Sequence, residues 1–470
     1  MTDQSLPPLS AGLYGATATI HPRRVEGRHR RRKTAIMVFA LAVLILGPWL
    51  RWDRGPGQPD QAALFDFVAM RGYFLDAELW PQDFYFLTGL LVIAAIGLFL
   101  VTALYGRVWC GFACPQTIWT DLFVWIECMI EGDRNARIRL DRAPFSPAKV
   151  ARRALKHGLW LALSLLTGAS FVFYFTDTPT ALGHLLDGEA SEALVGFIVL
   201  FTLTTYALAG WAREQVCIYM CPWPRIQGAM LDGGSVIVGY DRARGEGRTH
   251  AKIGQSFAGR GHCVDCSLCV QVCPVGIDIR DGLQMECIGC GLCVDACDGV
   301  MDRFGLPRAL VGWRGLAAEE GPTRAWFRRP RVVLYAAILA GVTLALVVAA
   351  GRRAMVDVSV LHDRSPLSVM LADGSVRNDY TVKIVNRDRI ARVVGLSLSG
   401  LPGATLSVAG EPETARLTAA GDAVTSYRVS VRAAAPDGAG GAVPVSFDLV
   451  DADGGVLAAA RGAFLGGQGR

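Results

Sequence analysis

A chain of 470 residues is too long for one ordinary soluble domain and indicates about two or three structural units. Hydrophobic residues make up 52% of the chain and the mean hydropathy is positive, which is typical of a membrane protein. The net charge is only +5, so the positions of the charges are more informative than their sum. All thirteen cysteines lie at or before Cys297, which excludes a short disulfide-stapled secreted scaffold and indicates metal ligands or redox thiols in a reducing compartment.

Five apolar stretches are long enough, or nearly so, to cross a bilayer core about 30 Å thick as helices. They cover residues 34–50, 84–105, 155–175, 193–212 and 331–350. The first stretch follows a polar segment and is not followed by a small-residue cleavage site. We therefore predict that it is a membrane span and not a signal peptide.

Lysine and arginine are abundant before the first span, between the second and third, and between the fourth and fifth. Because such residues concentrate on the cytoplasmic side, the N-terminus and residues 213–330 are predicted to be cytoplasmic, and the chain after residue 351 to be periplasmic. The arginine-rich tail abuts a span and lacks base-stacking aromatic residues. We therefore expect it to orient the chain in the lipid bilayer, and we expect no nucleic-acid partner.

Two runs of cysteine have the spacing of [4Fe–4S] ligands. The first is C-x2-C-x2-C-x3-C-P, and the second repeats it with Asp298 in place of the proline. Three thiolates of one run hold three corners of a cubane, while the fourth ligand comes from the other run. Cluster one is thus assigned to Cys263, Cys266, Cys269 and Cys297, and cluster two to Cys287, Cys290, Cys293 and Cys273. Zinc is the alternative for a single C-x2-C pair, but two complete runs disfavour it. Gly289 and Gly291 are predicted to let the backbone approach the cluster sulfurs.

Two further cysteine pairs, each in a C-x3-C-P motif, occur at the cytoplasmic ends of the second and fourth spans. These pairs are Cys110 with Cys114 and Cys217 with Cys221. Residues i and i+4 share one helix face, so we expect two adjacent sulfurs in each pair. The following proline should push the second cysteine out of the α region and open a new helix. If the two motifs pack together, four thiols converge, and such soft ligands suit Cu(I), zinc or a further iron–sulfur centre. The alternative is a packing role, to which we assign Cys128.

The spans themselves carry little chemistry. None of the seven histidines lies in the middle of a span, and the spans lack the buried acids of proton relays. A proton pump or a haem quinol oxidase is therefore disfavoured, and the chemistry is expected at the cytoplasmic face.

The C-terminal part of the chain has a different pattern. Polar and apolar residues alternate with a period of two, and Gly, Asp and Pro interrupt the runs, which predicts an antiparallel β-sandwich. This part contains no cysteine, so we expect it to bind a partner or act as a spacer and not to hold a metal.

The predicted fold is therefore a multi-domain integral membrane protein. It combines a five-span α-helical membrane domain, a bacterial-type 2×[4Fe–4S] ferredoxin insert of the α+β class, and a C-terminal all-β immunoglobulin-like sandwich. The predicted segments are a basic cytoplasmic tail (1–33), a membrane domain with four spans and both C-x3-C-P motifs (34–254), the ferredoxin domain (255–305), a linker (306–330), the fifth span (331–351) and the periplasmic sandwich (352–470).

Four sequence blocks, together with the order of these parts, resemble a known family. The blocks are Ile20-His-Pro-Arg-Arg-Val-Glu-Gly27, Pro81-Gln-Asp-Phe84, Gly106-Arg-Val-Trp-Cys-Gly-Phe-Ala-Cys-Pro-Gln-Thr117 and Ile130-Glu-Gly-Asp-Arg134. Over nearly its whole length the chain resembles the cytochrome c oxidase accessory proteins of the FixG/CcoG type. The C-x3-C-P blocks alone also occur in membrane polyferredoxins, so the full arrangement is the more specific feature.

The resemblance implies assembly of a cbb-type cytochrome c oxidase in the bacterial inner membrane, through reduction of Cu(II) to Cu(I) for copper delivery. The implied cofactors are two [4Fe–4S] clusters, with copper as a further metal. The catalytic, copper-binding role is carried over to Cys110, Cys114, Cys217 and Cys221, and the cluster-binding role to the eight ferredoxin cysteines. The implied partners are a cytoplasmic electron donor and haem–copper oxidase subunits, copper chaperones or a copper transporter. Two alternatives remain open: an electron-transfer adaptor to a respiratory reductase without copper chemistry, and an assembly scaffold with structural clusters.

Overall fold

The computed structural model describes residues 20–55, 57–317, 325–410, 416–434 and 441–466. The chain divides into two compact units, residues 1–346 and 347–470. Most of the predicted basic tail, residues 1–19, lies outside the described residues. The first unit is mainly helical, and the second consists of β-strands.

The helices are numbered along the chain. They are α1 (Arg28–Leu46), α2 (Phe84–Tyr105), α3 (Val108–Phe112), α4 (Pro115–Ile130), α5 (Arg134–Arg142), α6 (Pro147–Val172), α7 (Thr178–Asp187), α8 (Glu192–Thr205), α9 (Trp223–Met230), α10 (Arg242–Gly245), α11 (Leu268–Gln271), α12 (Leu292–Phe304) and α13 (Pro330–Gly351). Two π-helical segments, Tyr206–Ala212 and Val216–Met220, follow α8.

Five helical stretches are long and apolar enough to cross a membrane, which confirms the prediction of five spans. They are Arg28–Trp49, Pro81–Tyr105, Pro147–Phe175, Glu192–Ala212 and Pro330–Gly351. Large apolar side chains on them are exposed, such as Phe39 at 70% and Leu91 at 62%. Such surfaces are expected where lipid replaces water as the solvent.

A buried cluster of charges joins α4, α5 and α6. Glu127 accepts hydrogen bonds from Arg137 at 3.0 Å and from Arg213 at 2.9 Å, and Lys156 lies 3.4 Å from its other oxygen. Burial opposes ionisation of Glu127, but these three cations outweigh it and hold the pKa of Glu127 below its usual value. Because removing one partner of a buried ion pair is costly, the cluster fixes Arg213, four residues before Cys217.

A two-stranded antiparallel sheet closes the ferredoxin module. Strand β4 (Val236–Tyr240) pairs with β5 (Val311–Gly315), and β5 lies within the segment assigned by sequence to a linker. Side chains of both strands pack with α12 in one apolar core. The module is therefore built from residues on both sides of the cysteine runs. A further three-stranded sheet, β1–β3, lies between the first two spans at Ala63–Asp66, Arg71–Phe74 and Ala77–Leu79.

The second unit is an antiparallel β-sandwich, which confirms the predicted all-β class. One sheet has the order β10-β12-β8-β6, with β7 beside β8, and the other has the order β11-β9-β13-β14. The strands are β6 (Val356–His362), β7 (Val369–Met370), β8 (Ser375–Asn386), β9 (Arg392–Ser399), β10 (Thr405–Val408), β11 (Leu417–Ala419), β12 (Ala423–Ala434), β13 (Ala442–Val450) and β14 (Val456–Leu465). As the alternation predicts, Tyr380, Val382 and Ile384 are fully buried. The rings of Tyr380 and Phe447 pack edge to face, with their centroids 4.9 Å apart.

Candidate iron–sulfur and thiol site

One small cavity in the module is lined by all four cysteines assigned to cluster one. These are Cys263, Cys266, Cys269 and Cys297. The cavity has about 30 Å³, more than the roughly 10–15 Å³ that one water molecule needs. Much of its remaining wall is apolar, with Val300 and Met301 from α12 and Leu310 before β5. Its donor atoms are therefore chiefly sulfur.

A second cavity, of about 20 Å³, is lined by the four cysteines assigned to cluster two. These are Cys273, Cys287, Cys290 and Cys293, and Cys269 reaches the same wall. The fold thus brings the last cysteine of each run to the other run, as the crossed assignment requires. Which cysteines hold which cluster stays a prediction.

The ionisation of these thiols fits a site that is completed by a metal. Burial, followed by the neighbouring thiols, raises the pKa of Cys273 and Cys297 to about 12, and burial raises that of Cys269 to about 11. These thiols would thus be neutral at physiological pH, whereas a metal ligated by thiolate stabilises the charged form.

The spacing of the sulfurs bears on which metal centre they suit. Within the described ranges, no three His, Cys, Asp or Glu side chains are arranged to hold a single metal ion. A zinc site would need its sulfurs around one ion at about 2.3 Å, whereas a cubane distributes its four ligands over four irons. The two sets of four thiols, each completed by a cysteine of the other run, have the ligand arrangement of two [4Fe–4S] clusters.

Gly289 and Gly291 both adopt the left-handed conformation, with φ of +65° and +71°. A Cβ atom on Gly291 would lie 2.7 Å from the ring of His29, and one on Gly289 would lie 3.3 Å from the carbonyl carbon of Arg107. The glycines therefore allow the cysteine loop to approach α1 and the backbone before α3. No local sequence pattern predicts these contacts.

His29 connects the first span to the module. Its Nδ1 lies 2.8 Å from Oδ1 of Asp295 in α12, and Trp313 of β5 donates to its Nε2 at 2.8 Å. Because the indole can only donate, the ring accepts at Nε2 and donates from Nδ1. The sequence places His29 only in the polar tail before the first span. No local pattern predicts partners as distant in the chain as Asp295 and Trp313.

The C-x3-C-P motifs show the predicted effect of their prolines. Helix α3 ends before Cys114, which is extended at ψ 128°, and the π-helical segment ends before Cys221, which is extended at ψ 121°. The prediction that the proline pushes the second cysteine out of the α region was therefore correct, since a residue before proline is disfavoured there. The two cysteines of a pair are thus not on one continuous helix, although Cys110 and Cys114 remain neighbours. The prediction of a new helix was correct: Pro115 begins α4, and α9 follows Pro222.

The two motifs nevertheless meet. The thiols of Cys114, Cys217 and Cys221 lie close enough to Cys110 for their charges to interact with it. Burial and these neighbours raise the pKa of Cys110 to about 12 and that of Cys217 to about 11. Cys110 also donates to Oε1 of Gln227 in α9 at 3.2 Å. The four thiols, called the thiol group below, are thus near one another, and those of Cys110 and Cys217 are neutral at physiological pH unless a metal binds.

The thiol group and the second cavity share a wall. A Cβ atom on Gly111, next to Cys110, would lie 2.8 Å from both Cα of Cys290 and the carbonyl oxygen of Ile288. Arg107 donates to the carbonyl oxygen of Cys287 at 3.3 Å. Only a glycine at position 111 permits such close contact, so α3 rests directly on the second cysteine run.

Five spanning helices and two cavities, each lined by a ferredoxin-type set of four cysteines, define an integral membrane iron–sulfur protein. Family models of a 4Fe-4S dicluster domain and of a 4Fe-4S binding domain match residues 212–315 and 87–128. A model of the IG-like fold at the C-terminal of FixG matches residues 346–467. The chain belongs to the FixG-like family of 4Fe–4S proteins.

Three relatives establish this membership. The nitrogen fixation protein FixG of Rhizobium meliloti (strain 1021) is 45% identical over 432 residues, 85% of this chain and 82% of that protein. Proteins RdxB and RdxA of Cereibacter sphaeroides are 47% and 45% identical, and cover 88% and 98% of this chain and 89% and 100% of their own lengths. The crystal structure of a FixG-related protein from Vibrio parahaemolyticus matches 24% of this chain and 98% of that chain at 18% identity, with a TM-score of 0.21, too low to support an argument about fold.

Proposed function

We propose that this protein reduces Cu(II) to Cu(I) at the thiol group, as a step in the assembly of a cbb-type cytochrome c oxidase. The observation that carries the proposal is the wall shared by the thiol group and the second cysteine run, where Gly111 meets Cys290. Because the two sites are in contact, an electron could pass from the module to the thiol group without movement of a domain or loop. Thiolates are soft ligands that favour Cu(I), so binding at this group also favours the reduced ion.

Different cysteines of the chain would bind the clusters and the copper ion. Eight cysteines would hold the two clusters: Cys263, Cys266, Cys269 and Cys297 in one cavity, and Cys273, Cys287, Cys290 and Cys293 in the other. When bound, the clusters would accept and release single electrons. Cys110, Cys114, Cys217 and Cys221 would bind the copper ion as substrate, and the neutral thiols of Cys110 and Cys217 would release their protons as they do so. Gln227 would orient the sulfur of Cys110, which it contacts directly.

The arrangement in the membrane is part of the proposal. We place the protein in the bacterial inner membrane, with the N-terminus and the ferredoxin module in the cytoplasm and the sandwich in the periplasm. The distribution of Lys and Arg between the spans supports this orientation. The sandwich would then face haem–copper oxidase subunits, copper chaperones or a copper transporter.

A second function is favoured by two observations. The family model that matches residues 87–128, which include Cys110 and Cys114, describes a 4Fe-4S binding domain. In addition, the thiol group does not form a three-ligand site for a single ion within the described part of the chain. In this alternative the protein is an electron-transfer adaptor, and the thiol group holds a further iron–sulfur centre in place of copper.

Competition with a Cu(I) chelator separates the two functions. The full-length protein, purified anaerobically and reduced with dithionite, is titrated with copper in the presence of a chromogenic Cu(I) chelator. The copper-reducing function predicts that wild-type protein withholds about one Cu(I) per chain from the chelator, as soft thiolates should, and that the Cys110→Ser/Cys217→Ser variant withholds none. Cys128→Ser, at a buried cysteine outside the group, is the matched control. Full colour development with wild-type protein would exclude copper binding and favour the adaptor.

A further inference from the structure

One large cavity of the first unit is not explained by the proposed function. It has about 560 Å³ and lies between α1, α4, the segment around Cys217 and the ferredoxin module. This volume is in the range of sites that bind small organic molecules, and we call it the interface cavity. Most of its lining surface is apolar, and eight charged residues also border it.

One end of the interface cavity is formed by the first membrane span. Met37, Val38 and Leu41 line it, and they lie in the apolar part of α1 beyond its basic first turns. Val38 is 57% exposed on the surface that lipid would cover. A ligand with an apolar chain could therefore enter from the bilayer, whereas a water-soluble dinucleotide would gain little from these contacts.

The polar end is formed by Asp121 of α4. Its Oδ1 is bound by Arg30 at 2.8 Å and by Lys33 at 3.4 Å, and only 11% of its side chain is exposed. Its Oδ2 is buried and has no hydrogen-bond partner in the described structure. Burial opposes ionisation, but Lys33 and Arg30 outweigh it and hold the pKa of Asp121 below its usual value, so Oδ2 belongs to a carboxylate.

The unpartnered oxygen of Asp121 favours a ligand that can donate a hydrogen bond. Leaving a buried acceptor unpaired is costly, so the site favours a ligand that donates a hydrogen bond at this point. A hydroxyl group can do so, whereas a phosphate group would bring a second negative charge beside the first. The cations Arg30 and Lys33 are engaged by Asp121, and Arg213 by Glu127, while Arg23 and Arg24 also line the cavity. The Asp121 end of the site therefore matches a hydroxylated ring better than a phosphate group.

The remaining wall connects the interface cavity to the redox groups. Pro274, Ile288 and Leu292 line it, and each is the chain neighbour of a cysteine assigned to cluster two. Those cysteines are Cys273, Cys287 and Cys293. Cys217 of the thiol group lines the same cavity. A site for a structural lipid does not need to lie beside the cysteines assigned to cluster two, whereas a site for an electron donor does.

We infer that the interface cavity binds a lipid-soluble quinol, with its hydroxyl group on Asp121 and its apolar chain along Val38 and Leu41 of α1. This inference deepens the proposed function, on which it rests, by naming the class of electron donor. One quinol loses two electrons and two protons to become the quinone. The eight cysteines of the module would hold two clusters able to accept one electron each, while the two O–H bonds of the quinol would break and its protons would pass to water. The donor predicted from sequence was a cytoplasmic one, whereas this donor arrives through the membrane.

The test begins with binding. Trp125 lines the interface cavity, so a short-chain quinone should quench its fluorescence saturably in the full-length protein in nanodiscs, and Trp125→Phe should remove that component. The variant Val38→Phe/Leu41→Phe fills the apolar end and should weaken binding by at least about tenfold, because a filled pocket excludes the chain. Val43→Phe/Leu46→Phe is the matched control on the same helix at exposed positions, and it should bind like wild type.

The second readout is anaerobic bleaching of the cluster absorption by the reduced short-chain quinol. Wild type and the control should bleach, the filled variant should bleach at least about tenfold more slowly, and dithionite should bleach all three. Absence of saturable quenching, equal binding by the filled variant, or a tightly held phospholipid that quinone does not displace would overturn the site. Binding without bleaching would overturn the donor role. Failure of the dithionite-reduced protein to reduce Cu(II), with quinone binding intact, would overturn only the copper function.

Discussion

The Cys110→Ser/Cys217→Ser variant is expected to reduce Cu(II) at least about a hundredfold more slowly than wild type, because losing direct thiolate ligands should cost at least as much as losing the residues that support them. The two sulfurs come from different motifs, so their loss removes both halves of the thiol group. Neither lies among the cysteines assigned to cluster two in the second cavity. The visible absorption of the clusters and its bleaching by dithionite should therefore persist.

The control for this experiment is Cys128→Ser. Cys128 is buried in α4 and is not part of the thiol group, so the variant should retain wild-type turnover. The rate is measured under anaerobic conditions with dithionite-reduced protein and a chelator that captures Cu(I). Unchanged turnover in the double serine variant would remove the thiol group from the mechanism, whatever the state of the clusters.

If each cysteine run supplies one ligand to the cluster of the other run, pairs of cysteine substitutions should differ strongly in the iron content that they leave. If Cys273 belongs to cluster two, the Cys273→Ala/Cys290→Ala variant loses one cluster and keeps about four of about eight irons. The Cys266→Ala/Cys273→Ala variant, although both changes lie in the first run, should lose both clusters. The physical reason is that Cys273 lines the cavity of the second run and Cys266 the other cavity.

Iron analysis and the electron paramagnetic resonance spectrum of the reduced protein measure this outcome. Retention of one intact cluster should leave a simple spectrum without coupling to a second centre. The reverse pattern, in which Cys266→Ala/Cys273→Ala keeps half of the iron and Cys273→Ala/Cys290→Ala keeps none, would show that each run ligates its own cluster. Cys128→Ala should keep all of the iron and thus controls for the loss of a cysteine elsewhere.

Local patterns predicted the elements that depend on them. The five spans follow from the length of the apolar runs, and the sandwich follows from alternation such as that at Tyr380, Val382 and Ile384. Ligand spacing identified the two cysteine runs. The meeting of the two C-x3-C-P motifs was expected from their repetition, and the prolines after Cys114 and Cys221 correctly predicted that these cysteines leave the α region.

Features that depend on tertiary contact could not be predicted from the chain. Arg137 counted only as a cytoplasmic positive charge in the sequence, whereas it is fully buried against Glu127. Gly111 and Cys290 are in contact although they are far apart in sequence, and no periodicity predicts this contact. The same holds for the burial that leaves Oδ2 of Asp121 without a hydrogen-bond partner among the described residues. These contacts place the thiol group and the interface cavity beside the cysteines assigned to cluster two.

The redox chemistry of this protein requires that eight sulfurs of the module close around two cubanes. This ligation is measured by iron and acid-labile sulfide analysis of full-length protein purified without oxygen. We expect about eight iron atoms and about eight sulfides per chain, as two [4Fe–4S] clusters require. Protein that lacks iron and sulfide, or that holds stoichiometric zinc in their place, would show that the module does not hold these clusters.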